Sequence, residues 1–255
     1  IECPLMLGLM MDFPLTLTHF LTRAGNLFAN KEIATRLADG AMHRYRYADY
    51  IARVNRLAWA LQDLGVGPGD RVGVLAWNSY QHLELYYAVP CFGAVLHTLN
   101  LRLPQDQLLY IINHAEDKVI FVDASLAPML EAMKDKIPVT KRFVIINPPA
   151  SGVQTTLAPA SDYESLLAAA PATPFPWPQL DERSACGMCY TSGTTGNPKG
   201  VLYSHRALFL HTLSFCLKDV MGLSESDTIL PITPMFHANA WGIPHAAIML
   251  GAKLV

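Results

Sequence analysis

Short apolar runs alternate with longer amphipathic segments along the first part of the chain, and this alternation strongly restricts the fold. The run Val119–Val122 contains no polar residue, which is typical of a strand buried on both faces of a parallel sheet. Tyr50–Leu64 places apolar residues at helical spacing, and Gly65 can take the left-handed conformation that ends a helix. Strands that alternate with helices predict parallel β-α-β units, so we expect an α/β fold with parallel-rich layers.

A proline-rich stretch interrupts the alternation. Residues 148–178 contain seven prolines, and such a density favours a linker or surface loop. We therefore predict three parts: a first α/β subdomain over 1–147, a connector over 148–182, and the start of a second sheet over 183–255. The second sheet should carry a glycine-rich loop after the apolar strand Cys186–Tyr190.

The longest uncharged stretch, 228–252, has enough residues for a membrane span. Its prolines, histidines and asparagine argue against one, because such residues are costly in the hydrocarbon core. We predict a buried strand and loop there instead. The chain ends at Gly251–Val255, in a segment with strand character, so we expect a chain that is truncated within a domain.

Charge and cysteine content restrict the partners and the compartment. The formal net charge is −2 and there is no long basic run, so nucleic acid is not an expected partner. The five cysteines are odd in number, and the early residues Glu2 and Asp12 do not fit a basic secretory leader. We therefore expect reduced thiols and a cytoplasmic protein.

The pair Cys186-x-x-Cys189 has the spacing of redox and zinc motifs. A structural zinc site needs four ligands, and no second pair of this kind occurs in the sequence. Residues three apart on a strand point to opposite faces, so the two thiols should not meet. We predict that both cysteines are unpaired and bind no metal.

A segment rich in glycine and hydroxyl groups follows the strand that ends at Tyr190. It reads Tyr-Thr-Ser-Gly-Thr-Thr-Gly-Asn-Pro-Lys-Gly over Tyr190–Gly200. The glycines let backbone N–H groups approach an anion, the hydroxyls add neutral donors, and Lys199 adds positive charge. The order differs from both G-x-x-x-x-G-K-[ST] and G-x-G-x-x-G. The segment predicts a polyphosphate-binding loop, with a flexible glycine-threonine turn as the alternative.

This loop resembles the phosphate-loop signature of the adenylate-forming superfamily, the AMP-binding enzymes, which includes acyl-CoA synthetases, luciferases and the adenylation domains of peptide synthetases. Pro234–Trp241 resembles the acyl-site segment of medium- and long-chain fatty-acyl-CoA synthetases, and Gly69–Asn78, Tyr203–Arg206 and Gly251–Lys253 are also similar to that group. The resemblance covers nearly the whole chain but only the N-terminal part of a family member. It implies the N-terminal-domain portion of such an enzyme, truncated before the C-terminal domain.

The resemblance also implies roles for individual residues. The ligands of the ATP phosphates would be Thr191, Ser192, Gly193, Thr194, Thr195, Gly196 and Lys199. Thr191 would also offer its hydroxyl to Mg²⁺, and Lys199 and His237 would be catalytic. His237 would lie near the acyl carboxylate and Trp241 would border the acyl tunnel. The alternatives are a buried core histidine at position 237 and plain core packing at position 241.

The implied activity is ATP-dependent activation of a fatty acid to its acyl-adenylate, followed by transfer of the acyl group to coenzyme A. This is the reaction of an AMP-forming fatty acid–CoA ligase, a carboxylic acid–thiol ligase. Aryl-, short-chain or amino-acid-activating relatives are alternatives, as is a truncated, non-catalytic nucleotide-binding module.

The family's later motifs bear on activity. Motifs for adenine, ribose and the C-terminal lysine do not occur before Val255, so we expect the 255-residue chain to be inactive alone. The resemblance leaves peripheral membrane contact and a homodimer open.

Overall fold

The computed structural model describes residues 8–191 and 197–255, which form two β-sheets and the helices packed on them. In chain order the elements are α1 (Thr18–Phe28), β1 (Glu32–Arg36), β2 (Met42–Arg46), α2 (Tyr47–Asp63), β3 (Arg71–Leu75), α3 (Tyr80–Phe92), β4 (Val95–Thr98), α4 (Gln105–Ala115), β5 (Asp117–Asp123), α5 (Ala127–Glu131), β6 (Arg142–Ile146), β7 (Ala160–Asp162), α6 (Tyr163–Ala169), β8 (Ala185–Thr191), β9 (Lys199–Ser204), α7 (His205–Phe215), β10 (Thr228–Ile229), α8 (Ile243–Leu250) and β11 (Lys253–Leu254). Three short 3₁₀ segments lie at Ala124–Leu126, Lys134–Lys136 and Ala238–Gly242.

The larger sheet confirms the predicted parallel α/β architecture. Its strand order is β7-β6-β5-β3-β4-β8-β9, and every pairing is parallel except that of β9 with β8. On β5, Val119 and Phe121 enter one buried cluster while Ile120 and Val122 enter another. Both faces of this strand are therefore covered, which is why its sequence lacks polar alternation.

The smaller sheet joins the two ends of the chain. Its order is β10-β11-β1-β2, so the hairpin β1–β2 pairs through β1 with β11. The prediction that 183–255 starts a second sheet carrying the loop is wrong, because β8 pairs with β4 in the larger sheet. Strand partners far apart in sequence are chosen by tertiary packing, which the proline-rich break at 148–178 does not reveal.

The predicted connector, 148–182, is partly ordered against the larger sheet. Strand β7 pairs with β6, and helix α6 follows it directly. The side chain of Asp162 caps α6 by accepting a hydrogen bond from the backbone N–H of Ser165 at 2.7 Å. The proline-rich region therefore adds an edge strand and a helix to the first sheet.

The uncharged stretch 228–252 contains a helix where we predicted a buried strand and loop. Only Thr228–Ile229 is a strand, and Ile243–Leu250 forms α8, buried on nearly all sides. An apolar run of this length cannot be assigned to strand or helix by periodicity alone. The better signals were Pro244 in the first turn and Gly251, whose φ of 73° ends the helix. Within the described residues, no helix is both long enough and apolar enough to cross a membrane.

Helix α3 is buried along its length and is tied to its neighbours by charge. All 13 of its residues are buried. Glu84 accepts hydrogen bonds from Arg53 Nε on α2 at 2.7 Å and from the Tyr163 hydroxyl on α6 at 2.6 Å. Burial raises the pKa of Glu84, and the Arg53 guanidinium opposes that rise. Because these groups satisfy one another, α3 is a firm base for the residues at its N-terminal end.

Candidate functional site

The two ends of the glycine-rich loop are paired at one edge of the larger sheet. Strand β8 ends at Thr191 and β9 begins at Lys199, and these two residues are antiparallel partners. Because β8 runs parallel to β4, and β4 to β3, the loop leaves the sheet at the carboxyl ends of the parallel strands. That edge is where open α/β sheets bind ligands. The predicted phosphate ligands Ser192, Gly193, Thr194, Thr195 and Gly196 lie outside the described residues.

Thr191 and Lys199 are both exposed at the base of the loop. The Thr191 hydroxyl lies 3.4 Å from the backbone oxygen of Lys199, a long contact that leaves the hydroxyl oxygen open to another partner. Among the described residues, no carboxylate forms an ion pair with Lys199. A lysine in this position can therefore meet an anionic ligand without first breaking such a pair.

The strand pair beneath the loop packs around Tyr190. Its partner across the ladder is Gly200, where a Cβ atom would lie only 3.1 Å from Cζ of the tyrosine ring. A larger residue at this position would need the ring to move by a few tenths of an ångström. The Tyr190 hydroxyl lies 2.7 Å from Nδ1 of His114. Burial raises the pKa of Tyr190 to about 12, so the hydroxyl stays neutral at physiological pH.

A buried acid-histidine pair supports the other side of the Tyr190 ring. His97 lies with its ring centroid 5.1 Å from that of Tyr190, and its Nδ1 is 2.8 Å from a carboxylate oxygen of Asp117. Both members of the pair are fully buried. Burial raises the pKa of Asp117, against the opposing effect of His97. Nothing in the sequence marked these residues as neighbours of the loop, because they come from β4 and β5.

The segment Pro234–Trp241, the predicted acyl-site segment, contains an unusual backbone turn. The residues Ala238, Asn239, Ala240 and Trp241 have φ between 46° and 55°, followed by Gly242 at 77°. Left-handed conformations cost non-glycine residues roughly 1–2 kcal/mol each, so such a run persists only where surrounding contacts hold it. Strain of this kind is often found at functional sites.

Both side chains predicted at the acid are exposed in the described part of the chain. His237 is exposed and Trp241 is 63% exposed, so neither is packed in the core that the described residues form. Their roles at an acyl carboxylate and an acyl tunnel stay predictions.

Hydrogen bonds from α3 and from the turn before it hold the chain leading into this segment. The side chain of Asn78 bonds to the backbone of residues 231–235, and the hydroxyl of Tyr86 donates to the backbone oxygen of Met235. Asn78 does not cap α3, because the Ser79 hydroxyl accepts the bond from the backbone N–H of His82.

An apolar cavity of about 360 Å³ adjoins the same segment. Met235 and Pro244 form part of its wall, together with Leu83 of α3 and residues of β1 and β11. Asn78 also reaches this wall. His237 and Trp241 are not among the residues that line it. The segment Pro234–Trp241 thus contributes Met235 to the cavity wall, whereas its predicted acyl-site side chains lie outside the cavity.

Cys186 and Cys189 are free thiols, but the argument from strand alternation is wrong. Strand β8 carries a bulge near its start, which shifts the alternation of its side chains. Cys186 joins the buried cluster that contains Cys91 of α3, and Cys189 lies near Tyr86 of the same helix. Burial raises the pKa of both thiols, so neither is readily ionised.

Comparison with known proteins finds a family and several relatives that are similar to this chain. Residues 22–255 match the family described as AMP-binding enzyme. The chain is 50% identical over 246 residues to a long-chain-fatty-acid–CoA ligase of Thermus thermophilus. The match covers 96% of this chain and 44% of that protein. It is 43% identical over 250 residues to a 3-methylmercaptopropionyl-CoA ligase of Ruegeria lacuscaerulensis, covering 98% of this chain and 46% of that protein.

A solved structure shares the fold. The anthranilate CoA ligase AuaEII in complex with anthranoyl-AMP superposes with a TM-score of 0.85 at 24% identity, over 96% of this chain and 46% of that one. At this identity the likeness concerns the fold alone. The chain spans about half the length of the curated relatives it matches.

Proposed function

The chain belongs to the AMP-binding enzyme family, and on that premise we propose that the protein containing it is an AMP-forming fatty acid–CoA ligase. The observation that carries this proposal is the 50% identity, over 96% of the chain, to a long-chain-fatty-acid–CoA ligase. The hairpin that presents Thr191 and Lys199 at the carboxyl edge of the parallel sheet supports it independently.

The proposed chemistry begins with attack of the acid's carboxylate oxygen on the α-phosphorus of ATP. The bond from that phosphorus to the bridging oxygen breaks, and pyrophosphate leaves. A carboxylate approaching a polyphosphate meets repulsion, so the site must hold the reactants in place and offset negative charge. Lys199 would supply charge beside the departing phosphates. The thiol of coenzyme A would then displace AMP from the acyl-adenylate, giving the thioester.

His237 is the side chain that we propose for placing the carboxylate. It is exposed and stands just before the left-handed turn at Ala238–Gly242. A rigid turn would hold the imidazole in one orientation toward a bound acid. Correct placement of a reacting group can lower a barrier by several kcal/mol without any proton transfer.

Mg²⁺ fits the loop only in part. The ion prefers oxygen ligands and commonly binds through one or two carboxylates together with substrate phosphates and water. Thr191 offers one exposed hydroxyl, whereas the described residues contain no group of three or more His, Cys, Asp or Glu side chains able to hold a metal. We propose Thr191 as a single hydroxyl ligand, with phosphate oxygens and water as the others. Bound there, the ion would offset phosphate charge.

A second candidate keeps the reaction and changes the acid. The relative at 43% identity is named for a short, sulfur-containing acid rather than a fatty acid. Both acids carry an apolar tail, and the apolar cavity beside Met235 adjoins the predicted acyl-site segment. Acid length is therefore the property that separates the two candidates.

The test is ATP–pyrophosphate exchange by the full-length protein with a series of straight-chain acids and 3-methylmercaptopropionate. We expect exchange that rises with chain length, and thioester formation when coenzyme A is added. Exchange confined to the short acids would favour the second candidate. Absence of exchange with every acid, in a folded protein that binds ATP, would favour a non-catalytic nucleotide-binding module.

A further inference from the structure

One side chain, Asn78, spans from the turn before α3 to the chain that leads into the acyl-site segment. Its Nδ2 donates to the backbone oxygens of Pro231 at 3.0 Å and Thr233 at 3.1 Å. Its Oδ1 accepts from the backbone N–H of Met235 at 2.7 Å. Both amide protons and the amide oxygen are thus used on one short stretch of backbone, more than 150 residues away in sequence.

Tyr86, on α3 itself, makes a further hydrogen bond to the same stretch of backbone. Its hydroxyl donates to the backbone oxygen of Met235, the residue whose N–H is already bonded to Asn78. Tyr86 is buried, and burial raises the pKa of its hydroxyl, so it remains a neutral donor. Both backbone polar groups of Met235 are therefore satisfied by side chains of another part of the fold.

The attached stretch has little regular structure to hold it. Strand β10 ends at Ile229, and the first 3₁₀ residue is Ala238. Between them the only internal backbone bond is that from the His237 N–H to the Pro234 oxygen, at 3.1 Å. The left-handed turn that follows is costly by itself. The placement of His237 and Trp241 thus depends on where residues 231–235 are held on one side, and on the 3.4 Å hydrogen bond from Cys189 Sγ of β8 to Asn239 Oδ1 on the other.

We propose that Asn78 is a positioning residue for acid binding: through the backbone of residues 231–235 it sets the location of His237 and Trp241. The inference rests on the proposed function, because it assigns the acid to this segment. Asn78 acts through the backbone and not on the reacting atoms. Its location on the wall of the apolar cavity means that the same side chain also borders the space next to the segment.

Loss of the Asn78 side chain should not disturb helix α3 itself. Helix α3 has its own cap at Ser79, so loss of the Asn78 amide leaves that cap in place. The core of α3 and its ion pair with Arg53 are also untouched. Asn78→Ala should therefore leave the fold intact while releasing the acyl-site segment.

The experiment compares four variants of the full-length protein: Asn78→Ala, Asn78→Asp, Tyr86→Phe and the control Asn113→Ala. The control loses one amide bond, from Asn113 Nδ2 to the Lys136 oxygen at 2.8 Å, on the distant helix α4. Each variant is assayed by ATP–pyrophosphate exchange, once with the acid varied and once with ATP varied. Amide hydrogen exchange over residues 231–241 is measured alongside, at one pH.

Asn78→Ala should raise KM for the acid about tenfold, while KM for ATP changes less than about twofold, because the lost bonds hold residues 231–235 and not the strands beside the phosphate loop. Asn78→Asp keeps the shape and the acceptor but sets a carboxylate against two carbonyl oxygens, so it should not rescue the defect. Tyr86→Phe should show a smaller effect of the same kind. Hydrogen exchange over residues 231–241 should increase in all three and not in Asn113→Ala.

The outcomes separate the two proposals. An active wild type whose Asn78→Ala variant matches Asn113→Ala in acid KM and in hydrogen exchange overturns the inference alone. Equal changes in KM for acid and ATP, or full activity of Asn78→Asp, would also contradict a positioning role. An inactive wild type rejects the proposed function, and unchanged exchange over 231–241 in Asn78→Ala then rejects the attachment as well.

Discussion

The base of the phosphate loop and the acyl-site segment are held by different means. Thr191 and Lys199 belong to a regular ladder, in which every residue from Gly187 to Thr191 has a backbone partner on β9. Residues 231–235 have no ladder, and the side chains of Asn78 and Tyr86 provide their backbone partners. One site edge is therefore fixed by repeated backbone bonds and the other by a few side-chain contacts.

This difference bears on how each site responds to substitution. A ladder is insensitive to any single side chain, because its bonds are made by the main chain. A segment held by side-chain amides and hydroxyls loses its position when one of them is removed. We expect the ATP side to be damaged mainly by loss of the groups that touch phosphate, and the acid side also by loss of remote supports.

The largest effect should come from Lys199→Ala in the full-length protein. Loss of one charged contact to a transition state typically costs about 2–4 kcal/mol, or about a hundredfold in rate. Pyrophosphate exchange at saturating acid measures the loss, and Lys118→Ala, which removes an ion pair with Asp70 elsewhere, is the matched control. A Lys199→Ala enzyme within about threefold of wild type would remove this residue from the phosphate site.

Thr191→Ala should lower magnesium-dependent activity by a similar or smaller factor.

Acidification should weaken the supports of the acyl-site segment. The ring of Tyr86 is near both His82 and His245, at centroid distances of 5.3 and 5.6 Å. Burial lowers the pKa of His82 to about 4 and that of His245 to about 3, with His211 and His205 adding to the latter shift. Both histidines are therefore neutral in the folded protein near pH 7.

Because the ordinary pKa of histidine is about 6.5, the unfolded chain binds protons first as the pH falls. The contribution of these histidines to the free energy of unfolding is thus fully present above about pH 6.5. It is lost progressively as the pH falls toward about 4, by up to about 3 kcal/mol for His82. Denaturant midpoints measured across this range should fall, and His82→Gln should flatten the decline whereas exposed His19→Gln should not. A midpoint that is independent of pH between 7 and 4 would contradict the assignment.

Trp241→Ala should alter acid preference without altering ATP binding. The indole is 63% exposed, and its removal leaves in place the contact that Asn239 of the same turn makes with Cys189 of β8. We expect the ratio of kcat/KM between long and short acids to shift by about tenfold, a typical value for reshaping an apolar contact. Trp77→Ala, which changes another half-exposed indole, serves as control. If Trp241→Ala lost ATP binding and kept its chain-length profile, Trp241 would not belong to the acyl site.

The smallest effect should come from Tyr190→Phe. The variant keeps the ring over Gly200 and removes only the 2.7 Å contact with His114. One hydrogen bond at a partly buried site is worth about 1 kcal/mol, so we expect at most about a fivefold rise in KM for ATP. A loss comparable to that of Lys199→Ala would show that the ladder alone does not hold the loop, and the contrast between the two site edges would fail.

Much of the architecture followed from local patterns. Uninterrupted apolar runs such as Val119–Val122 predicted strands covered on both faces, and Tyr50–Leu64 predicted the helix that the structure places at Tyr47–Asp63. The glycine-rich order of Tyr190–Gly200 indicated the family without reference to the strand order of either sheet. These inferences succeeded because periodicity and loop chemistry depend on neighbours in sequence.

Tertiary structure alone decided which segments meet. The pairing of β8 with β4 moved the loop into the first sheet, and the pairing of β1 with β11 joined the two ends of the chain. A bulge on β8 turned Cys186 and Cys189 toward the same helix despite their odd spacing. Asn78 precedes a helix that Ser79 caps, and only the packing of a loop more than 150 residues away gives its amide three partners. Contacts of that range are set by how buried surfaces fit together, and a local pattern carries no record of them.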